Sequence, residues 1–129
     1  MADVDGHRPR FPGFEVTDQA ATWDEVTRRV VLGRLDPPGP LRFFTSDEAR
    51  TARALTDRLL GQTADQRLPV VEVIDRRLAD RTGDGYRYAD LPEDAEAWRR
   101  SLAALDEDAA GVDGRPFADL HRDDQMDLV

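Results

Sequence analysis

The chain has 129 residues, with 27 acidic against 18 basic side chains and a net charge of −9. This is the length of one domain, and its charge opposes the phosphate neutralisation on which nucleic-acid binding rests, so no nucleic-acid partner is expected. It contains no Cys, no Lys and no Asn. That excludes thiolate nucleophiles, disulfides, iron–sulfur clusters, Cys-ligated zinc and covalently attached c-type haem, and also the P-loop lysine and Schiff-base chemistry. Leu, Ile, Val and Phe occupy 29 positions, about 22%, just above the ~20% below which highly charged chains stay disordered. Part of the chain is therefore expected to need a partner for order.

Residues 1–21 read as an N-terminal arm, partly flexible, that carries Phe11 and Phe14, and residues 22–129 as a helical domain. The sequence Thr22-Trp23-Asp24-Glu25 has the form of a capping box, and Trp23, Val26, Val30 and Val31 follow at helical spacing, predicting a first helix over about 23–35. The run Asp36-Pro37-Pro38-Gly39-Pro40 ends it with a stiff extended spacer. A second box, Thr45-Ser46-Asp47-Glu48, opens a helix whose stripe is Ala49, Ala52, Leu55 and Leu59, with Phe44 placed to staple Ala49 and Gly61 to close the helix.

Pro69 starts a third helix with Val71, Ile74 and Leu78 on one face, widened by Val70 and Val73, although β-branched residues leave a short strand near 70–74 open. The fourth follows Asp90-Leu91-Pro92-Glu93, with Asp90 as cap and Ala95, Trp98, Leu102 and Leu105 as its stripe, and is broken by Gly111 and Gly114. Phe117 and Leu120 form an apolar turn, and a short last helix runs from about Arg122 to the end. Five helices and no strand predict an all-α fold, a small bundle with an extended N-terminal arm.

Little in this pattern carries chemistry. The pairs Arg28-Arg29, Arg76-Arg77 and Arg99-Arg100 each follow Glu25, Glu72 or Glu96 by three or four residues, the favourable order for solvated intrahelical ion pairs. Thr82-Gly83-Asp84-Gly85 contains a G-x-G but precedes the aromatics Tyr86 and Tyr88 instead of opening a helix, so it reads as a turn and the dinucleotide fingerprint fails. Carboxylate neighbours such as Asp106 with Asp108, or Asp123 with Asp124 and Asp127, are unavoidable at this acidity and read as structural. His7, His121 and the carboxylates show no metal-ligand spacing, and His121 sits where the last helix begins, as a cap. No catalytic, cofactor-binding or metal-binding residue is expected.

Trp98 belongs to a helical stripe and reads as core. Phe11, Phe14, Tyr86 and Tyr88 lie outside any helical periodicity. They are either caps on the bundle or contacts for a partner, and Tyr, Trp, Phe and Arg are the types enriched in interface cores. No apolar run approaches the ~18–20 residues of a membrane span, and MADVDGHRPR lacks the basic start and apolar stretch of a secretory signal. The expected location is cytoplasmic with no membrane insertion, export alongside a partner staying open.

Several blocks in order resemble one family. Phe43-Phe44-Thr45-Ser46-Asp47-Glu48-Ala49-Arg50 with Ala54 to Leu60, then Val73 to Leu78, Trp98 to Asp106, Gly114 to Leu120 and Asp124 to Leu128, are similar to the successive segments of the gluconate 2-dehydrogenase subunit 3 family. The resemblance covers about residues 41–129, and Arg10 to Leu35 is similar to an N-terminal extension of a soluble branch. It implies a non-catalytic small subunit that binds and stabilises, or helps mature, a large FAD-dependent dehydrogenase of the glucose-methanol-choline type, sometimes joined by a cytochrome subunit that nothing in this chain indicates. FAD and the catalytic residues would sit in that large chain, with no cofactor in this one. The alternative is a free-standing helical interaction or regulatory module.

Overall fold

The computed structural model describes residues 11–63, 67–83 and 85–129. The first ten residues of the arm, with His7, and Asp84 of the G-x-G turn lie outside the described residues. The chain divides into two compact units at Pro37 and Pro38, inside the proline-rich spacer, where a chain without backbone N–H groups cannot continue a helix.

In the first unit a 3₁₀ helix, η1 (Val16–Thr22), precedes α1 (Glu25–Gly33). The box expected at Thr22 does not form. The cap is Asp24, whose carboxylate accepts from the Thr27 N–H at 2.9 Å and the Thr27 hydroxyl at 2.6 Å. Thr22 instead donates its hydroxyl to the Gln19 carbonyl at 2.8 Å and closes η1. These bonds, the Thr27 hydroxyl first, hold the Asp24 carboxyl below the usual range. No described residue of this unit is buried, and Val26 and Val30 are exposed.

The second unit, 38–129, holds α2 (Ser46–Leu60), α3 (Val70–Ala79), α4 (Asp94–Asp113), a 3₁₀ turn η2 (Phe117–Asp119) and α5 (Arg122–Leu128). Among the described residues there is no strand, so the chain is all-α as its periodicity predicts. The reciprocal box of α2 is complete: Glu48 N–H donates to the Thr45 hydroxyl at 3.2 Å, and Thr45 N–H to the Glu48 carboxylate at 2.8 Å. Gly61 ends the helix in the left-handed region at φ 64°, a conformation that costs a glycine nothing.

The buried face of α2 departs from the expected stripe. Leu59 is exposed, while Thr51, Thr56 and Asp57 are buried beside Ala49 and Ala52. Segment 70–74 is helical, so burial of Val71 against the core overrides the β preference of its neighbours. Helix α4 starts at Asp94, four residues beyond the expected cap at Asp90, because Pro92 and the extended Glu93 hold the entry open. Gly111 lies inside it, and Gly114, at φ 66°, ends it.

Two clusters make the core. Phe44, Ala49, Ala52, Val71 and Leu102 form the first, with Ile74, Leu78 and Trp98 packed against it. Ala109, Phe117 and Leu120 form the second, under Leu105 and Leu128, and Leu55 touches both. Trp98 meets Phe44 edge to face, ring centroids 5.8 Å apart, but it packs on the margin of the cluster and is only half-buried.

Buried and half-buried carboxylates hold the connections. Asp75 of α3 accepts the N–H groups of Arg42 at 2.7 Å, Phe43 at 2.9 Å and Phe44 at 2.8 Å. A three-residue strap with no secondary structure partner is thereby satisfied from a helix about thirty residues later. Asp106 accepts from the Thr51 hydroxyl at 3.0 Å and from the Phe117 N–H at 2.9 Å. Gln125 of α5 donates to the Phe117 carbonyl at 2.8 Å, so both backbone groups of Phe117 are tied. Asp57 pairs through both oxygens with Arg67.

Candidate functional site

Arg42 and Phe43 of the strap, the end of α3, residues 81–83, 85–89 and 91, and the start of α4 enclose an open groove of about 1320 Å³. That exceeds the ~300–1,000 Å³ of small-molecule pockets. Phe43, Ile74, Leu78 and Trp98 line it at the core. Phe43 is fixed by three contacts: its N–H on Asp75, its ring edge to face with Phe44 at 5.1 Å, and the Arg99 guanidinium 4.5 Å over the ring centroid. Arg99 also donates to the Phe43 carbonyl at 3.2 Å and pairs with Glu48 at 3.4 Å, which joins the strap to α2 and α4.

The outer side is aromatic and exposed. Tyr86 and Tyr88 meet edge to face, centroids 5.8 Å apart at 70°, yet they stay 81% and 66% exposed. Leu91 beside them is exposed as well, in a turn closed by its N–H on the Tyr88 carbonyl at 3.1 Å. Rings that pair with each other and still face water form a surface, not a cap over the core. The segment leaves α3 through a hydrogen bond from Thr82 N–H to the Arg77 carbonyl at 2.9 Å. It passes α4 so closely at Gly83 that an added Cβ would lie 3.1 Å from an Asp94 carboxylate oxygen.

Two of the four aromatic contact candidates, Tyr86 and Tyr88, are thus brought together. Phe11 and Phe14 belong to the first unit, exposed on a turn closed by Phe14 N–H on the Phe11 carbonyl at 3.1 Å. The sequence reading missed Phe43 and the Trp98 edge as parts of the groove. Their signal was the Phe43-Phe44 doublet just before a capping box, more aromatic surface than one staple uses.

The remaining chemistry-bearing residues have structural duties. Only one of the three expected glutamate-arginine sets closes within its helix, Glu96 with Arg100. Glu72 pairs instead with Arg53 of α2 at 2.8 Å, and Arg28 donates to the Trp23 carbonyl at 3.2 Å. For Glu72 a tertiary partner outcompetes a helical neighbour worth only ~0.2–0.5 kcal/mol, and for Arg28 a nearby backbone carbonyl does. His121 caps α5 as expected, accepting from the Asp123 N–H at 3.4 Å. Among the described residues no group of three or more His, Asp or Glu side chains could hold a metal ion.

The family model for gluconate 2-dehydrogenase subunit 3 matches residues 46–129, from the start of α2 to the end of the chain. The chain belongs to this family, whose members are subunits of dehydrogenase complexes. No curated protein and no solved structure matches it. Among the described residues no helix is long and apolar enough to cross a membrane.

Proposed function

We propose that the chain is a non-catalytic small subunit that binds a large FAD-dependent dehydrogenase of the glucose-methanol-choline type and stabilises it or helps it mature. One observation carries the reading: the family domain leaves Tyr86, Tyr88 and Leu91 exposed around a groove lined by Phe43 and Trp98. Exposed aromatics beside arginines have the composition of an interface core. FAD is assigned to the large subunit, since this chain has no dinucleotide fingerprint. Phe11 and Phe14 are proposed as a second set of contacts, from the first unit.

Co-expression with a flavin-dependent dehydrogenase large subunit from the same genome tests the reading. The two chains are expected to co-elute, with the melting temperature of each raised by mass action on its folded state. Tyr86→Ala and Tyr88→Ala should each weaken association by about 1–2 kcal/mol in titration calorimetry and leave the helical spectrum of the free chain unchanged. Separate elution at micromolar concentration with unchanged melting curves overturns the reading in favour of a free-standing module.

A further inference from the structure

Among the described residues, the lining of the groove holds more arginine than acid. The chain carries −9, yet four arginines, Arg42, Arg77, Arg81 and Arg87, line the groove against Glu93 and Asp94. Arg42 is engaged by Asp80 at 2.8 Å. Arg87 makes two loose ion pairs, at 3.9 Å to both Glu93 and Asp94, too long for the hydrogen bonds a closer carboxylate would accept. Arg81 has no carboxylate within ion-pair distance among the described residues, and it sits at φ 54° just past α3, a backbone conformation uncommon for a residue with a side chain. Two exposed arginines, Arg81 and Arg87, thus line the same groove as the exposed tyrosine pair.

We propose that the groove receives an acidic segment of the dehydrogenase subunit, seating an apolar or aromatic side chain against Phe43 and Trp98 beside the tyrosines and its carboxylates on Arg81 and Arg87. This rests on the accessory-subunit reading. Guanidinium presents a planar fork that matches a carboxylate bidentately. The rest of this acidic surface repels such a segment, so the groove also sets the orientation of docking. A bound partner carboxylate gives Arg87 the close contact that Glu93 and Asp94 do not.

The test is the association rate of the full chain with the purified dehydrogenase subunit, measured by stopped flow across ionic strength. Arg81→Glu is expected to slow association about tenfold at low salt, and Arg81→Gln and Arg87→Gln by less in the same direction. All three should flatten the dependence on salt, because a charge pair at the rim is screened within a Debye length. Arg122→Glu, the same charge change on α5 outside the groove, should alter the rate less than about twofold. The aromatic contacts should show in the dissociation rate, which Tyr88→Ala raises. If wild-type chains associate and the Arg81 and Arg87 variants match them at every salt concentration, the inference falls and the accessory-subunit reading stands. If wild-type chains do not associate, both fall.

Discussion

Asp75→Asn is expected to destabilise the second unit by about 3–5 kcal/mol in urea unfolding at neutral pH. The wild-type carboxylate accepts three N–H groups, from Arg42, Phe43 and Phe44, and the Asn side chain offers one oxygen and turns an NH₂ toward the others. At least one backbone donor then stays desolvated and unpaired, at about 1–3 kcal/mol, and the charge-assisted bonds weaken to neutral ones. Burial pushes the Asp75 carboxyl up, but the three N–H groups and the nearby Arg42 charge outweigh it and leave it below the usual range. A carboxyl depressed in the folded state contributes stability that is present above its unfolded pKa, ~3.9, and is lost as pH falls through the folded value. The wild type should therefore lose stability below about pH 4, while Asp75→Asn, already weakened, should show a flatter acid branch. A variant as stable as the wild type at pH 7 would mean that the strap is held by packing alone.

Phe117→Ala should cost about 3–5 kcal/mol, the range for emptying a fully buried aromatic site. Phe117 is 0% exposed and fills the second cluster with Ala109 and Leu120. The site cannot collapse easily, because Asp106 holds its N–H and Gln125 its carbonyl from two different helices. Phe117→Leu, which keeps most of the volume, should cost under about 2 kcal/mol. Thermal unfolding by circular dichroism measures both, and equal losses for the two variants would show that ring shape, not volume, sets the site.

The helices were legible because their signals are local. The Thr45 and Glu48 box, Gly61 and Gly114 as left-handed ends, and the three- and four-residue spacing through Leu102 and Leu105 each act within a few residues. Boundaries blurred where two local signals competed, as with Thr22 against Asp24. What stayed hidden is the long-range polar scaffold. Asp75 reads as one more surface acid on a helix in a chain with 27 acidic residues, and nothing within ten residues marks it as the acceptor for three N–H groups of an earlier strap. The groove was half-legible for the same reason. Tyr86 and Tyr88 stood out as aromatics without periodicity, whereas the placement of Phe43 and Trp98 beside them depends on α3 and α4 being packed.

Helix α2 is the element on which α3, α4, η2 and α5 all pack, and it is the first of them to leave the ribosome. During synthesis it must wait for every partner it has. At ~5–20 residues per second, the 69 residues after Leu60 keep its inner face uncovered for several seconds. Apart from Leu55, that face is built of Ala49, Ala52, Thr51, Thr56 and Asp57, small or polar side chains that offer little to bind to a neighbouring nascent chain. With both ends satisfied and 15 residues in length, the helix reaches the size at which isolated helices begin to hold in water. The alanines and threonines at the centre of the finished domain therefore also make its first-made helix a poor substrate for aggregation.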